Sequence, residues 1–161
     1  MTIANVPVPR QTSGEWLEVT PGERFNFRVS NEETAGAYVM LEVVADPGNG
    51  VPMHLHKHED EHFLILEGTL RVANGHEPVD VPAGTAVTVR RGVPHAWANM
   101  TNTPVHFLLV FSPGRIEELL RQNIATKNDL AAAAANANRF GTVIVGPPIA
   151  EGLYTFASPR P

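Results

Sequence analysis

The sequence predicts an all-β protein, a barrel or sandwich of short strands, with a helical extension at its C-terminal end. Three observations carry this. Between residues 24 and 111, apolar residues recur with a period of two in short runs. Turn formers separate those runs, and the 161-residue chain holds 13 Gly and 14 Pro, which suits many short strands better than long helices. Past Ser112 the spacing of apolar residues becomes helical. This length favours one domain with one sizeable core. The expected division is a barrel with an N-terminal arm over 1–112, and a helical pair with a tail over 113–161 packed on the same domain.

Taken in order, the first twenty residues read as an extended lead-in. Pro7 and Pro9 forbid regular ladder pairing there, which makes the piece an edge or an arm, with Trp16 and Leu17 as anchors. Pro21-Gly22 marks a turn. Arg24 to Val29 alternates, with Phe25, Phe27 and Val29 on one face. Tyr38 to Ala45 is apolar on both faces, as in a strand buried against a second sheet, and Asp46 to Gly50 breaks it. A strand carrying His54 and His56 follows, then an acidic loop around Glu59 and Asp60, then a strand from Glu61 to Leu66. Gly68 closes a turn, Leu70 to Ala73 returns, and Asn74-Gly75 is a hairpin pair. Val79 to Val81 leads to the turn Pro82-Ala83-Gly84. Thr85 to Val89 is β-branched and alternating. Pro94 holds the chain extended before His95, Trp97 and Asn99, which share one face. Val105 to Phe111 is a long apolar strand with Phe107, Leu109 and Phe111 on one side.

After the strands, Ser112-Pro113 reads as a helix start, a capping serine followed by proline at the first helical position. Ile116, Leu119, Leu120 and Ile124 form one apolar stripe. Asn128 is the expected cap of a second helix through the alanine run 131–135 to about Arg139, with Gly141 beyond its end. Thr142 to Val145 is a short strand that Gly146-Pro147-Pro148 stops. Leu153, Tyr154 and Phe156 give the tail apolar side chains to bury.

The candidate site lies where the histidines gather. His54 and His56 are two apart, so in a strand their imidazoles leave the same face. If the strand opening at Glu61 is a neighbour, both imidazoles and a carboxylate converge. Such a donor set holds a first-row divalent metal and leaves coordination positions open. His58 shares the alternation but sits in the acidic loop, and His62 lies on the face opposite Glu61. His76 is beside a hairpin turn, and His106 alternates away from Phe107 and Leu109. None of these four is a ligand candidate. Met53, Phe63, Trp97, Phe107 and Leu109 are candidate pocket-lining, substrate-binding residues.

The spacing carries a resemblance. Gly48, His54, His56, Glu61 and Gly68 stand at every defined position of the first signature of the cupin superfamily. Gly84, Gly92, His95 and Asn99 match the second, and Arg90 stands where that pattern usually has proline, a residue that shapes a turn. The chain thus resembles a cupin, and its flanks resemble the small quercetin dioxygenase-like cupins of bacteria. The resemblance implies a jelly-roll β-barrel and a metal set of His54, His56, Glu61 and His95. The ion would be one divalent transition metal, Fe, Mn, Ni, Cu, Co or Zn. Glu61 is either the fourth ligand or a catalytic base beside the metal.

Composition excludes other classes. There is no cysteine, hence no disulfide, thiolate catalyst or Cys-type zinc site. The formal net charge is −5 with no basic cluster, which argues against nucleic-acid binding. No run reaches the length of a membrane span and no secretory leader is visible at the N-terminus, so a cytoplasmic protein is expected. The expected partners are a small organic substrate, O2 and a second copy in a homodimer. Among functions, the resemblance implies a metal-dependent dioxygenase acting on an enolisable or phenolic, flavonol-like molecule. The alternatives are a metal-dependent isomerase, epimerase or polyketide cyclase, and a non-catalytic small-molecule-binding module.

Overall fold

The computed structural model of the chain describes residues 14–126 and 129–149. Ten strands come first: β1 (Leu17–Thr20), β2 (Glu23–Val29), β3 (Val39–Ala45), β4 (Pro52–His56), β5 (Asp60–Glu67), β6 (Thr69–Asn74), β7 (Val79–Pro82), β8 (Ala86–Val89), β9 (His95–Ala98) and β10 (Val105–Ser112). A 3-10 turn (Gly114–Ile116), α1 (Glu117–Ala125), α2 (Leu130–Phe140) and β11 (Thr142–Pro148) follow. The protein is mostly β, in two antiparallel sheets with a short helical part near the C-terminal end. One sheet has the order β1-β2-β3-β10-β5-β8 and the other β11-β4-β9-β6-β7.

β10 shows why the sequence folds this way. Its strict alternation puts Val105, Phe107, Leu109 and Phe111 on the buried face. It pairs with β3 on one side and β5 on the other, so its polar backbone is satisfied along both edges. Phe25, Leu41, Val43, Phe63 and Ile65 extend that inner face, and Leu70, Val72 and Trp97 meet it from the second sheet. Trp97 stacks edge-on against Phe107, with ring centroids 5.3 Å apart.

Two polar or small residues hold the sheets in register. Asn99, fully buried, donates to the Ala45 and Thr103 carbonyls at 2.9 and 2.8 Å. Its Oδ1 accepts from the Thr101 backbone N–H and hydroxyl at 3.0 and 2.7 Å. Gly50 bridges to Ala98, and a Cβ there would lie 2.7 Å from the Trp97 carbonyl oxygen, so only glycine allows β4 to start this close to β9.

The helical region departs from expectation in its details. Ser112 does not cap a helix: it is the last residue of β10, paired with Asp60, and its hydroxyl donates to the Ala37 carbonyl. The ladder claims it first, and α1 begins after the 3-10 turn without a side-chain cap. The cap of α2 is Asp129, whose carboxylate accepts from the Ala131 and Ala132 N–H groups. Gly141 ends α2 in the left-handed conformation at φ 85°. β11 runs through the Gly-Pro-Pro to Pro148, which an edge strand permits. The expected arm around Pro7 and Pro9, the cap at Asn128, and Leu153, Tyr154 and Phe156 lie outside the described residues. α1 packs beside β1 and α2 beside β11, so the helical pair covers the ends of both sheets. Among the described residues, no helix is long and apolar enough to cross a membrane.

Candidate metal centre

Both sheets contribute to the site. β4 turns His54 and His56 to the inside, and β9 places His95 directly opposite His54 in the β4–β9 pairing. β5, in the other sheet, brings Glu61 in from its register with Phe111. One ligand atom from each of these four residues lies within 4.8 Å of all the others. The Nε2 atoms of His54 and His56 are 3.2 Å apart, and Glu61 Oε2 is 3.2 Å from His56 Nε2 and 2.6 Å from His95 Nε2. All four side chains are buried, His54 the least so at 9% exposure.

The other ring nitrogens decide what this cluster fits. His54 Nδ1 donates to the Pro52 carbonyl at 2.8 Å, and His95 Nδ1 donates to the Val93 carbonyl at 2.9 Å. His56 Nδ1 lies 2.9 Å from the Thr142 hydroxyl. A carbonyl cannot donate, so the first two contacts fix a proton on Nδ1 and turn Nε2 inward. Metal-ligating histidines are oriented by such outer partners. Separations of 3.2 Å are in the range kept by two donors that share one first-row ion, at metal–nitrogen distances of about 2.1 Å. The residues therefore fit a divalent metal.

Electrostatics point the same way. Burial opposes charge on Glu61, but hydrogen bonds from His56 and His95, with their charge, hold the carboxyl well below the usual carboxylate range. Burial, then the His95 and His56 charges, push His54 down to about 3, so it stays neutral with a free lone pair. Burial would also lower His95, yet the hydrogen bond and charge of Glu61 raise it above its ordinary value. A neutral imidazole and an ionised carboxylate are the forms that bind a cation.

The cluster opens into a chamber of about 540 Å³. Trp97, Leu109 and Phe111 line it from the barrel, and Ile116, Leu119 and Leu120 from the helical region. Among the sequence-predicted pocket residues, Trp97 and Leu109 line this space. Phe63 and Phe107 are packed in the core instead, and Met53 sits on the other side of β4 in a small cluster with Ala96 and Ala98. His58 is exposed, His62 bonds to Thr88, and His106 bonds to Glu42. Sequence reasoning missed Thr142 and Glu23. For Glu23 a signal existed, since it shares the parity of Phe25 and Phe27 and so is an acid on the inward face. For Thr142 there was none.

A family model described as the cupin domain matches residues 41–111. Over this stretch the chain is similar to a cupin domain. Among curated proteins, the chain is similar to mannose-1-phosphate guanylyltransferase 2 of Escherichia coli O157:H7, at 24% identity over 94 residues. That match covers 57% of this chain but only 20% of the relative, so the chain spans about a fifth of its length. Among solved structures, KdgF from Halomonas sp. superposes with a TM-score of 0.58 at 19% identity, over 65% of this chain and 90% of that one. The polyketide cyclase RemF from Streptomyces resistomycificus gives 0.56 at 19% identity, over 69% and 80%. At these identities the superpositions show a shared cupin fold.

Proposed function

We propose that this cupin is a metal-dependent enzyme acting on a small, largely apolar organic molecule with an ionisable hydroxyl, phenolic or enolisable, and that it is a dioxygenase. The single observation behind this reading is that the cluster of His54, His56, Glu61 and His95 meets, through His54, His56 and Glu61, a chamber otherwise lined mainly by apolar side chains. A bound divalent ion supplies Lewis-acid polarisation of a substrate oxygen. The three imidazoles hold the ion. Glu61, beside the three imidazoles, takes the proton from the substrate hydroxyl. Trp97, Leu109 and Phe111 exclude water and present flat apolar surface to a ring.

Elemental analysis of the purified protein, then oxygen uptake with flavonols and other enolisable phenolics, tests the proposal. H54A and H95A are expected to lose both metal and turnover. Full activity in either metal-free variant overturns it. Turnover without oxygen consumption would replace the dioxygenase with a proton-transfer enzyme, an isomerase or cyclase, using the same base.

A further inference from the structure

A second buried carboxyl faces the same chamber, far from the metal centre. Glu23 opens β2 and is 4% exposed. It lines the chamber, yet the metal site does not use it. Register places it: Glu61 is level with Phe111, whereas Glu23 is level with Ala45, and Ala45 with Val105. Along the inner face of the sheet the two acids are therefore three rows apart, at opposite ends.

The surroundings of Glu23 are unlike those of Glu61. The only polar side chain bonded to it among the described residues is Thr20, whose hydroxyl donates to Oε2 at 3.1 Å. No Lys or Arg stands among the described residues that line the chamber. A carboxyl buried without a cation holds its proton to a higher pH than a free one. Burial raises it to about 7, with the Thr20 hydrogen bond pulling the other way. A protonated carboxyl is both donor and acceptor, and here it meets a mainly apolar wall, whose other polar members outside the metal cluster are Thr20, Asn123, Thr126, Asp129 and Thr142 among the described residues.

We propose that Glu23 is a substrate-recognition group, donating a hydrogen bond to an oxygen at the end of the ligand remote from the His54, His56, Glu61 and His95 cluster. The ligand it selects is uncharged and elongated, apolar along its middle, with oxygen functions at both ends. Ligands with an anionic group at this remote end are disfavoured, because no Lys or Arg among the described lining residues offsets a charge there. The orientation of the ligand rests on the metal-centre reading given above; the hydrogen bond to Glu23 does not.

Calorimetric titration with kaempferol and galangin tests this, since the two flavonols differ by one hydroxyl on the ring remote from the keto-enol group. Wild-type protein is expected to bind kaempferol about tenfold more tightly, the factor worth one hydrogen bond. E23L should erase that difference and leave galangin unchanged. E23Q, which keeps a donor and guards against a folding artefact, should retain most of it. Kaempferol sulfated on the remote ring should bind at least about a hundredfold more weakly, having no cation to meet. An advantage that survives in E23L, equal binding of the sulfate, or no flavonol binding to wild type overturns the proposal. H54A separates the two readings. If H54A weakens both flavonols while E23L leaves the kaempferol advantage intact, the metal-centre reading stands and the Glu23 proposal fails. If H54A changes neither affinity while E23L erases the difference, the reverse holds.

Discussion

The Thr142 hydroxyl lies 2.9 Å from Nδ1 of His56, although 86 residues separate them. β11 achieves this by returning after the helical pair to lie beside β4, with Thr142 level with His56. His56 is the one ligand histidine oriented by a side chain rather than a backbone carbonyl. T142V keeps the shape and removes the partner. Loss of such an outer hydrogen bond typically costs roughly ten- to a hundredfold in metal affinity. Titration of the apoprotein with Co or Zn should show a loss of that size, with the fold intact by circular dichroism. Unchanged affinity would mean that packing alone orients His56.

Glu23 makes stability depend on pH in a stated direction. Its pKa is about 7 in the folded protein against 4.5 for a free glutamate, because of burial, with Thr20 opposing. Below 4.5 both states hold the proton and nothing is lost. As pH rises from 4.5 to 7, the unfolded chain ionises first, so the native state loses stability, by about 3 kcal/mol once the shift is complete. E23Q cannot titrate. Urea denaturation across this window should show E23Q gaining on wild type as pH rises, and a constant difference would refute the buried acid.

Asn99 is the other buried polar group with a large predicted effect. Its amide bonds the Ala45 and Thr103 carbonyls, the Thr101 N–H and the Thr101 hydroxyl, tying β3 to the β9–β10 connection. N99A removes a donor from the Ala45 and Thr103 carbonyls and the acceptor of the Thr101 N–H and hydroxyl, while the Thr101 hydroxyl still reaches the Thr103 carbonyl. At roughly 1–3 kcal/mol for each buried group left unpaired, the variant should lose on the order of 3 kcal/mol. Denaturant unfolding measures this directly, and metal content should survive where the protein is folded. A loss within error would show that water replaces the amide.

How much of this could be read from the chain follows from the range over which each feature acts. His54 and His56 are two apart on one strand, so a shared face followed from parity alone. The alternation in β10 likewise exposed its buried side. Glu61 and His95 were legible only as part of two spaced signatures, because nothing local says that β5 and β9 approach β4 from different sheets. Parity also separates Met53 from His54, and the structure puts Met53 outside the chamber. Phe63 and Phe107 have the right parity, but depth along the barrel, not face, leaves them in the packed core. Depth depends on register between distant strands, which short-range patterns do not encode. The same holds for Thr142, whose role exists only because β11 pairs with β4. Ser112 was misplaced for a related reason: a good capping pair was overridden by a ladder bond to Asp60.

Glu61 has two available roles, and one substitution separates them. Its Oε2 already touches the Nε2 atoms of both His56 and His95, the atoms that would bind the ion, so it sits close enough either to ligate or to act beside the metal. E61Q preserves volume and an oxygen but removes the charge and the basicity. Three imidazoles alone form an adequate binding set, so the ion should remain, with affinity lowered by about tenfold for one lost charge interaction. Proton abstraction has no such reserve, and removing a positioned base should lower turnover by roughly 10²–10⁴. Metal content by elemental analysis and turnover on the same preparation give the two numbers. Retained metal with lost turnover identifies Glu61 as the base. Loss of both together identifies it as an indispensable ligand, and the proton must then leave by another route.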